Sequence, residues 1–341
     1  MVLMHPMVWL LLVGLLAPVN LLAQSGNNAR KPRKPAPRNA VQAILGAFDR
    51  YPLVALGEFH RNQQEHDFIL SLLRSPDFPS KANDIVVEFG TARYQDLTDR
   101  YIEGGPVTLD QLKPVWRDTV NILVWDAPVY QRFFEAIREI NLHLPEARRM
   151  RVLLGDPPFH WDRVQTREQW EQIVAQRDTH AVDVIEEQVL AKGRRALLLY
   201  GMGHVERFPP EPGKPANLIA LLEGIHRRAS LVIWPYTSGW GNISRLDARL
   251  EPWPNPSFAE LKGTWLGSLV SEKGLNMPPL EALADALLYF GRIASQTQSR
   301  PPDSQYLDPA FFRELLRRDQ IQGGFNRDEL QRLKGLLFRG D

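Results

Sequence analysis

A glutamate and a histidine, Glu58 and His60, stand two residues apart directly after the apolar run Leu53-Val54-Ala55-Leu56-Gly57. Such a run reads as a buried strand, which has no packing use for either side chain and would bury an unpaired charge at a high cost. A carboxylate beside an imidazole can act as orienter and general base, or as a ligand pair for a hard or borderline metal. Residues i and i+2 of a strand share a face, so both groups can look into one pocket. The same event recurs. Asp84-Ile85-Val86-Val87 ends in Glu88, Arg151-Val152-Leu153-Leu154-Gly155 ends in Asp156, and Ala196-Leu197-Leu198-Leu199-Tyr200 runs into Gly201-Met202-Gly203-His204. In open parallel sheets ligands bind beyond the carboxyl ends of the strands. Glu58, His60, Glu88 and His204 are therefore the catalytic candidates, and the same four are the candidate ligands for a divalent metal.

Each has a structural alternative. Glu58 and His60 could form an ion pair or cap the next helix, and Glu88 could pair with Arg93. Asp156 precedes Pro157-Pro158 and could simply form a turn. His66, on the helix after the motif, could face the site or solvent. His66, Arg93 and Asp156 are the supporting candidates. Gly201 and Gly203 allow a tight turn and close approach of a ligand. Glu206 stands where a dinucleotide loop would carry its third glycine, which argues against that use. There is no G-x-S-x-G elbow, phosphate-binding loop or H-E-x-x-H helix, so a common serine hydrolase is not expected. Tyr94, Trp116, Trp125, Tyr130 and Trp161 could line a flat aromatic ligand or pack the core.

The elements that must position these residues alternate. Residues 61–74 place Phe68, Ile69, Leu72 and Leu73 on one helical face. Residues 127–142 and 170–192 read as long amphipathic helices, and residues 215–226 as a helix leading into a fifth strand, Leu231-Val232-Ile233-Trp234. Alternation of this kind predicts an α/β fold: a mainly parallel central sheet flanked by helices on both faces. Past residue 245, Pro252, Pro254 and Pro256 interrupt the pattern. Ala286-Leu287-Leu288-Tyr289-Phe290 reads as a last strand, and residues 309–318 and 327–338 as closing helices. The expected organisation is one α/β domain over residues 40–245, with residues 246–341 as an extension packing on it and forming a lid or pocket wall.

Composition sets the outer limits. A chain of 341 residues with a formal net charge of +1 can bury a large core and gives no reason to expect nucleic acid as a partner. Its partner is expected to be a small-molecule ligand or substrate. The absence of cysteine excludes a thiol nucleophile, a thiolate metal site, a lipid-modified cysteine anchor and covalent c-type haem attachment. Residues 1–23 read as a cleaved signal peptide, so the protein is expected to be exported to the periplasm or beyond. Residues 24–39, with Arg30-Lys31-Pro32-Arg33-Lys34-Pro35, read as an extended basic linker that could be drawn to an anionic envelope surface.

Gly57-Glu58-Phe59-His60-Arg61-Asn62 with His66 resembles the G-E-x-H-x-N-x-x-x-H opening of the ChaN-like haem-binding uptake family. Glu88, Gln95, Asp99-Arg100-Tyr101, Gly104-Gly105, Leu112, Trp116, Trp125 and Tyr130 continue the resemblance, and Gly201-Met202-Gly203-His204 is similar to its late G-x-G-H. The likeness covers roughly residues 50–225. That family is similar to the Tiki/TraB group and to erythromycin esterases, which share the early Glu/His motif and the late histidine. The resemblance implies either a water-activating, metal-assisted or metal-free hydrolase of an ester, lactone or amide, or a non-catalytic haem- or iron-binding protein of the envelope. Asp156-Pro157-Pro158 departs from the asparagine-containing turn expected in the haem-uptake family.

Overall fold

A computed structural model describes residues 31–207, 215–238, 244–270 and 278–337. The chain divides into two units, Met1–Lys31 and Pro32–Asp341, and all the described structure except Lys31 lies in the second. The signal-peptide reading of residues 1–23 falls outside the described residues.

The second unit is built on one eight-stranded sheet. Its strands in chain order are β1 (Arg38–Asn39), β2 (Leu53–Glu58), β3 (Asp84–Thr91), β4 (Arg151–Asp156), β5 (Ala196–Gly201), β6 (Ser230–Pro235), β7 (Ser257–Glu260) and β8 (Ala286–Tyr289). Across the sheet they run β1-β7-β8-β6-β2-β5-β3-β4. The strands from β8 to β4 are parallel, while β7 pairs antiparallel with both β1 and β8.

β2, β3, β5 and β6 are buried along their whole length, as continuous apolar runs covered on both faces should be. Side chains alternate between the two layers. Val54, Leu56, Ile85, Val87, Phe89, Leu197 and Leu199 join the core beneath the helices Gln63–Leu73 and Pro128–Leu142. Leu53, Ala55, Val86, Leu198 and Tyr200 join the core on the opposite face, with the helices Arg177–Gln188 and Leu218–Ile225.

Three differences from the sequence reading bear on the site. Residues 170–192 do not form one helix: they belong to Arg167–Val174, Arg177–Gln188 and a short turn at Leu190–Lys192. The break places Arg177 and Asp178 in a first helical turn. The region past residue 245 contributes β7 and β8 to the central sheet, so its middle portion is part of the domain and only its last helices pack on from outside. The basic stretch lies against the domain from Arg33 onward: Arg33 N donates to Gly263 O, Trp265 N donates to Arg33 O (both 3.0 Å), and β1 follows.

The helices Pro309–Gln322 and Arg327–Leu337 form a third apolar cluster with Val120 and Ile122, which precede the helix Pro128–Leu142, and with Phe159, Trp161 and Val164, which follow β4. Arg318 joins Asp118 (2.9 Å) and donates to Arg117 O (2.8 Å), and Gln322 Nε2 donates to Val120 O (2.6 Å).

Candidate active site

Insertion of β5 between β2 and β3 decides the geometry. Glu58 ends β2 opposite Gly201, and Val87 of β3 pairs with Leu199 of β5, so the His204 turn emerges between the two glutamates. Alternation then separates them. Glu58 continues the parity of Val54 and Leu56, and Glu88 that of Val86, so the two carboxylates leave the sheet on opposite faces.

On the first face, Glu58 Oε1 accepts the Tyr130 hydroxyl (2.6 Å) and lies 2.9 Å from His66 Nε2. Its Oε2 has no hydrogen-bond partner and lies 3.6 Å from His60 Nδ1. Burial pushes the Glu58 carboxyl up, but pairing with His60 and His66 outweighs it and holds the group at about 2. Tyr130 in turn accepts Arg61 N (3.0 Å), which fixes the chain one residue past His60. Arg61 itself adopts a left-handed conformation (φ 66°), uncommon for a residue with a Cβ. Beside this group, Glu65 is fully buried. It accepts Phe59 N (3.0 Å), and burial, reinforced by the Glu58 charge, pushes its carboxyl well above the usual range. An acid raised by burial thus sits behind one held ionised.

On the second face, Glu88 Oε2 accepts Gly201 N (2.7 Å), while Oε1 meets Arg177 Nη2 (2.6 Å) and His204 Nε2 (3.4 Å). Arg177 also reaches Asp156 Oδ1 (2.8 Å), whose Oδ2 accepts Val120 N (3.0 Å). Burial pushes Glu88 up, and the charges of His204 and Arg177 overcome that and hold it well below the ordinary carboxylate range. His204 Nδ1 lies 2.6 Å from Asp178. Burial alone would lower the His204 imidazole, but the Glu88 charge and the Asp178 hydrogen bond raise it to about 10. His204 is an imidazolium at neutral pH.

The halves meet above Gly201. A Cβ there would come within 2.7 Å of His60 Cε1, 3.0 Å of His60 Nε2 and 3.2 Å of Glu88 Oε2. The His60 ring stands edge-on to Trp125, with centroids 4.6 Å apart. Burial lowers His60 less than Glu58 and Glu88 raise it, so it titrates above its ordinary value. The side chains of His60 and His204 are 36% and 23% exposed, against 1% and 2% for Glu58 and Glu88, so the histidines are the groups a ligand can reach.

All four catalytic candidates therefore converge, and His66 and Asp156 join them as supports of Glu58 and Arg177. Arg93 does not. It lies exposed over the Tyr94 ring, and the cation of Glu88 is Arg177. Arg177, Asp178, Glu65 and Tyr130 are further members. Tyr130 belongs to the aromatic group read from the sequence, but its hydroxyl was the informative part.

Among the described residues no preformed metal cluster shows in this arrangement. Glu58 Oε1 is engaged by His66 and Tyr130 while its Oε2 is left without a partner, and Glu88 is engaged by Arg177 and the Gly201 amide. Among the described residues no group of three or more His, Cys, Asp or Glu side chains is disposed to hold a metal ion. The aromatic residues do not form a porphyrin slot either. Trp116, Trp125, Tyr130 and Trp161 are buried against core neighbours, Trp116 stacking on Phe134 and Trp125 meeting Tyr130 edge-on. Tyr94 is tied to Asp118 (2.6 Å). A sandwiched haem would require the core to open.

No family model and no curated protein matches the chain. Solved structures do match. A succinoglycan biosynthesis protein superposes with a TM-score of 0.53 at 9% identity, covering 79% of this chain and 96% of that one. The erythromycin esterase EreC, solved as a point mutant in its open conformation, gives 0.52 at 10% identity over 76% and 94%. The fold is shared. ChaN of Campylobacter jejuni, solved with cofacial haem, aligns at 11% identity over 72% and 90%, with a TM-score of only 0.39. The likeness to erythromycin esterases thus holds at the level of fold, and activity does not transfer at these identities.

Proposed function

We propose that the protein is a water-activating hydrolase of an ester, lactone or amide. The observation that carries this reading is the division of labour between two accessible histidines: His60 beside the free Oε2 of Glu58, and His204 locked as a cation between Glu88 and Asp178. Unequal charge environments around two titratable groups are how a site assigns base and electrophile. His60, once deprotonated, takes a proton from water as the water oxygen attacks the carbonyl carbon, and Glu58 steadies the imidazolium that forms. His204 Nε2, 3.4 Å from Glu88 and so weakly held there, turns its N–H to the developing oxyanion. His60 then returns the proton to the leaving oxygen or nitrogen. Membership of a fold that also carries an erythromycin esterase is compatible with this chemistry. The haem-binding alternative would call on aromatic side chains of which Trp116, Trp125, Tyr130 and Trp161 are buried.

Export to the envelope belongs to the same proposal and rests on the apolar residues 1–23 and the basic stretch that follows. Among the described residues no helix is long and apolar enough to cross a membrane.

The test is an ester, lactone and amide screen with wild type beside His60→Ala. The variant is expected to keep its circular dichroism spectrum and lose roughly 10²- to 10⁴-fold in kcat/KM, the usual contribution of a general base. The wild-type profile should be bell-shaped. Activity rises as His60 loses its proton above its ordinary value and falls as His204 deprotonates at about 10. An equally active variant, or a haemin-induced Soret band abolished by His60→Ala without any turnover of wild type, would overturn the proposal.

A further inference from the structure

A cavity of about 640 Å³ opens beside the motif, lined by Arg61, Arg300, Arg332, Asp303, Glu329 and Tyr306, with Leu123, Val124 and Pro301 as its apolar wall. It borders the candidate site covalently on two sides: Arg61 follows His60, and Val124 precedes Trp125, whose ring touches His60. Its charges are unevenly satisfied. Arg332 is taken by Asp303 (2.6 Å) and Glu329 (2.7 Å), and nearby Asp126 by Arg117 (2.6 Å). Among the described residues Arg61 and Arg300 have no ion pair, and Arg61 Nε is buried without a hydrogen-bond partner. A guanidinium N–H withdrawn from water and left unpaired is costly, and such groups in folded proteins ordinarily have an acceptor. The chain also goes to some length to hold Arg61 in place. Its backbone is left-handed, its N–H donates to Tyr130, and its carbonyl accepts Ser299 N (2.7 Å).

We propose that this cavity binds the anionic group of an organic ligand, a carboxylate or a phosphate, with Arg61 as the principal contact and Arg300 as a second charge. The planar fork of arginine matches both oxyanions, and the apolar wall favours an organic anion over an inorganic one. This goes beyond the hydrolase reading, since binding is measured without turnover.

Calorimetric titration of the full chain with benzoate and with phenyl phosphate, beside neutral benzyl alcohol, tests it. Either anion is expected to bind more tightly than the alcohol, and to weaken as salt is raised. The two anions distinguish carboxylate from phosphate preference. Arg61→Ala should weaken binding roughly 10- to 100-fold, as loss of a charged hydrogen bond does, with Arg61→Lys recovering part of it. Arg300→Ala, at an exposed position, gives a smaller loss and no change in fold. Equal binding of anion and alcohol, no binding of either anion at millimolar concentration, or an Arg61→Ala protein that binds like wild type overturns the inference.

Discussion

Two glutamates two strands apart do different work because each is surrounded differently. Glu58 is held by two histidines and a tyrosine hydroxyl, Glu88 by an arginine, a histidine and a backbone amide. Glu65, a few residues from Glu58, has only one backbone donor, and burial with the Glu58 charge raises its carboxyl well above the usual range. At pH values between its unfolded and folded titration points, folding therefore takes up a proton at Glu65. Its folded-state value lies above the unfolded one, so its contribution is fully present below about 4.5, the ordinary carboxyl value, and is lost as pH rises through the folded-state value. Glu65→Gln keeps an acceptor for Phe59 N and removes the uptake. Its stability relative to wild type should improve between pH 4.5 and pH 8, read as the shift in urea midpoint at the two pH values. An unchanged difference would mean that Glu65 is ionised in the fold. At this scale the sequence was informative where a polar residue ended an apolar run, as at Glu58, Glu88, Asp156 and His204. It was silent on Arg177 and Asp178, which lie among charged residues of an amphipathic stretch and carry no mark that distinguishes them from a solvated face.

Among the elements, β5 matters most, because its late arrival between β2 and β3 brings a histidine from the second half of the chain between two acids of the first. Gly201 at its end is the close approach that makes this workable. A methyl there would come within 2.7 Å of the His60 ring, which would have to shift, and would press on the Glu88 carboxylate at 3.2 Å. Its φ of −50° is accessible to any residue, so the demand is for space and not for backbone freedom. Gly201→Ala is expected to fold, to displace the imidazole and to lower kcat by about 10²-fold, the scale of a 1 Å misplacement. Full activity in that variant would place the reacting groups elsewhere. The alternating pattern made the five parallel strands from β2 to β6 legible, along with β8. The two-residue β1 and the four-residue β7 were not: β1 is too short to show a period, and β7 is no shorter than β8 but has no continuous apolar run and follows a proline-rich stretch. The break before Arg177 was missed for a related reason: no glycine or proline punctuates it.

Across the whole molecule, the late helices are a clamp on the loops that hold the site. Arg318 joins Asp118 and the Arg117 carbonyl, Gln322 holds Val120, and Val120 N holds Asp156, which holds Arg177. On the other side Gln296 Oε1 accepts Asn62 Nδ2 (3.0 Å), and Ser299 holds the Arg61 carbonyl. Arg318→Ala leaves Asp118 without its cation and should cost roughly 3 kcal/mol, the low end for breaking a buried pair because Asp118 keeps some contact with water. A urea midpoint within error of wild type would show the clamp to be decorative. The composition of this region announced helices but not what they would grip, because each contact is to a loop with no pattern of its own. The contacts join residues about two hundred positions apart, such as Asn62 to Gln296 and Val120 to Gln322. Closing such distant pairs is slow and comes after local structure. A growing chain therefore carries Glu58, His60, Glu88 and His204 long before it carries Gln296, Arg318 and Gln322, which grip the loops around them.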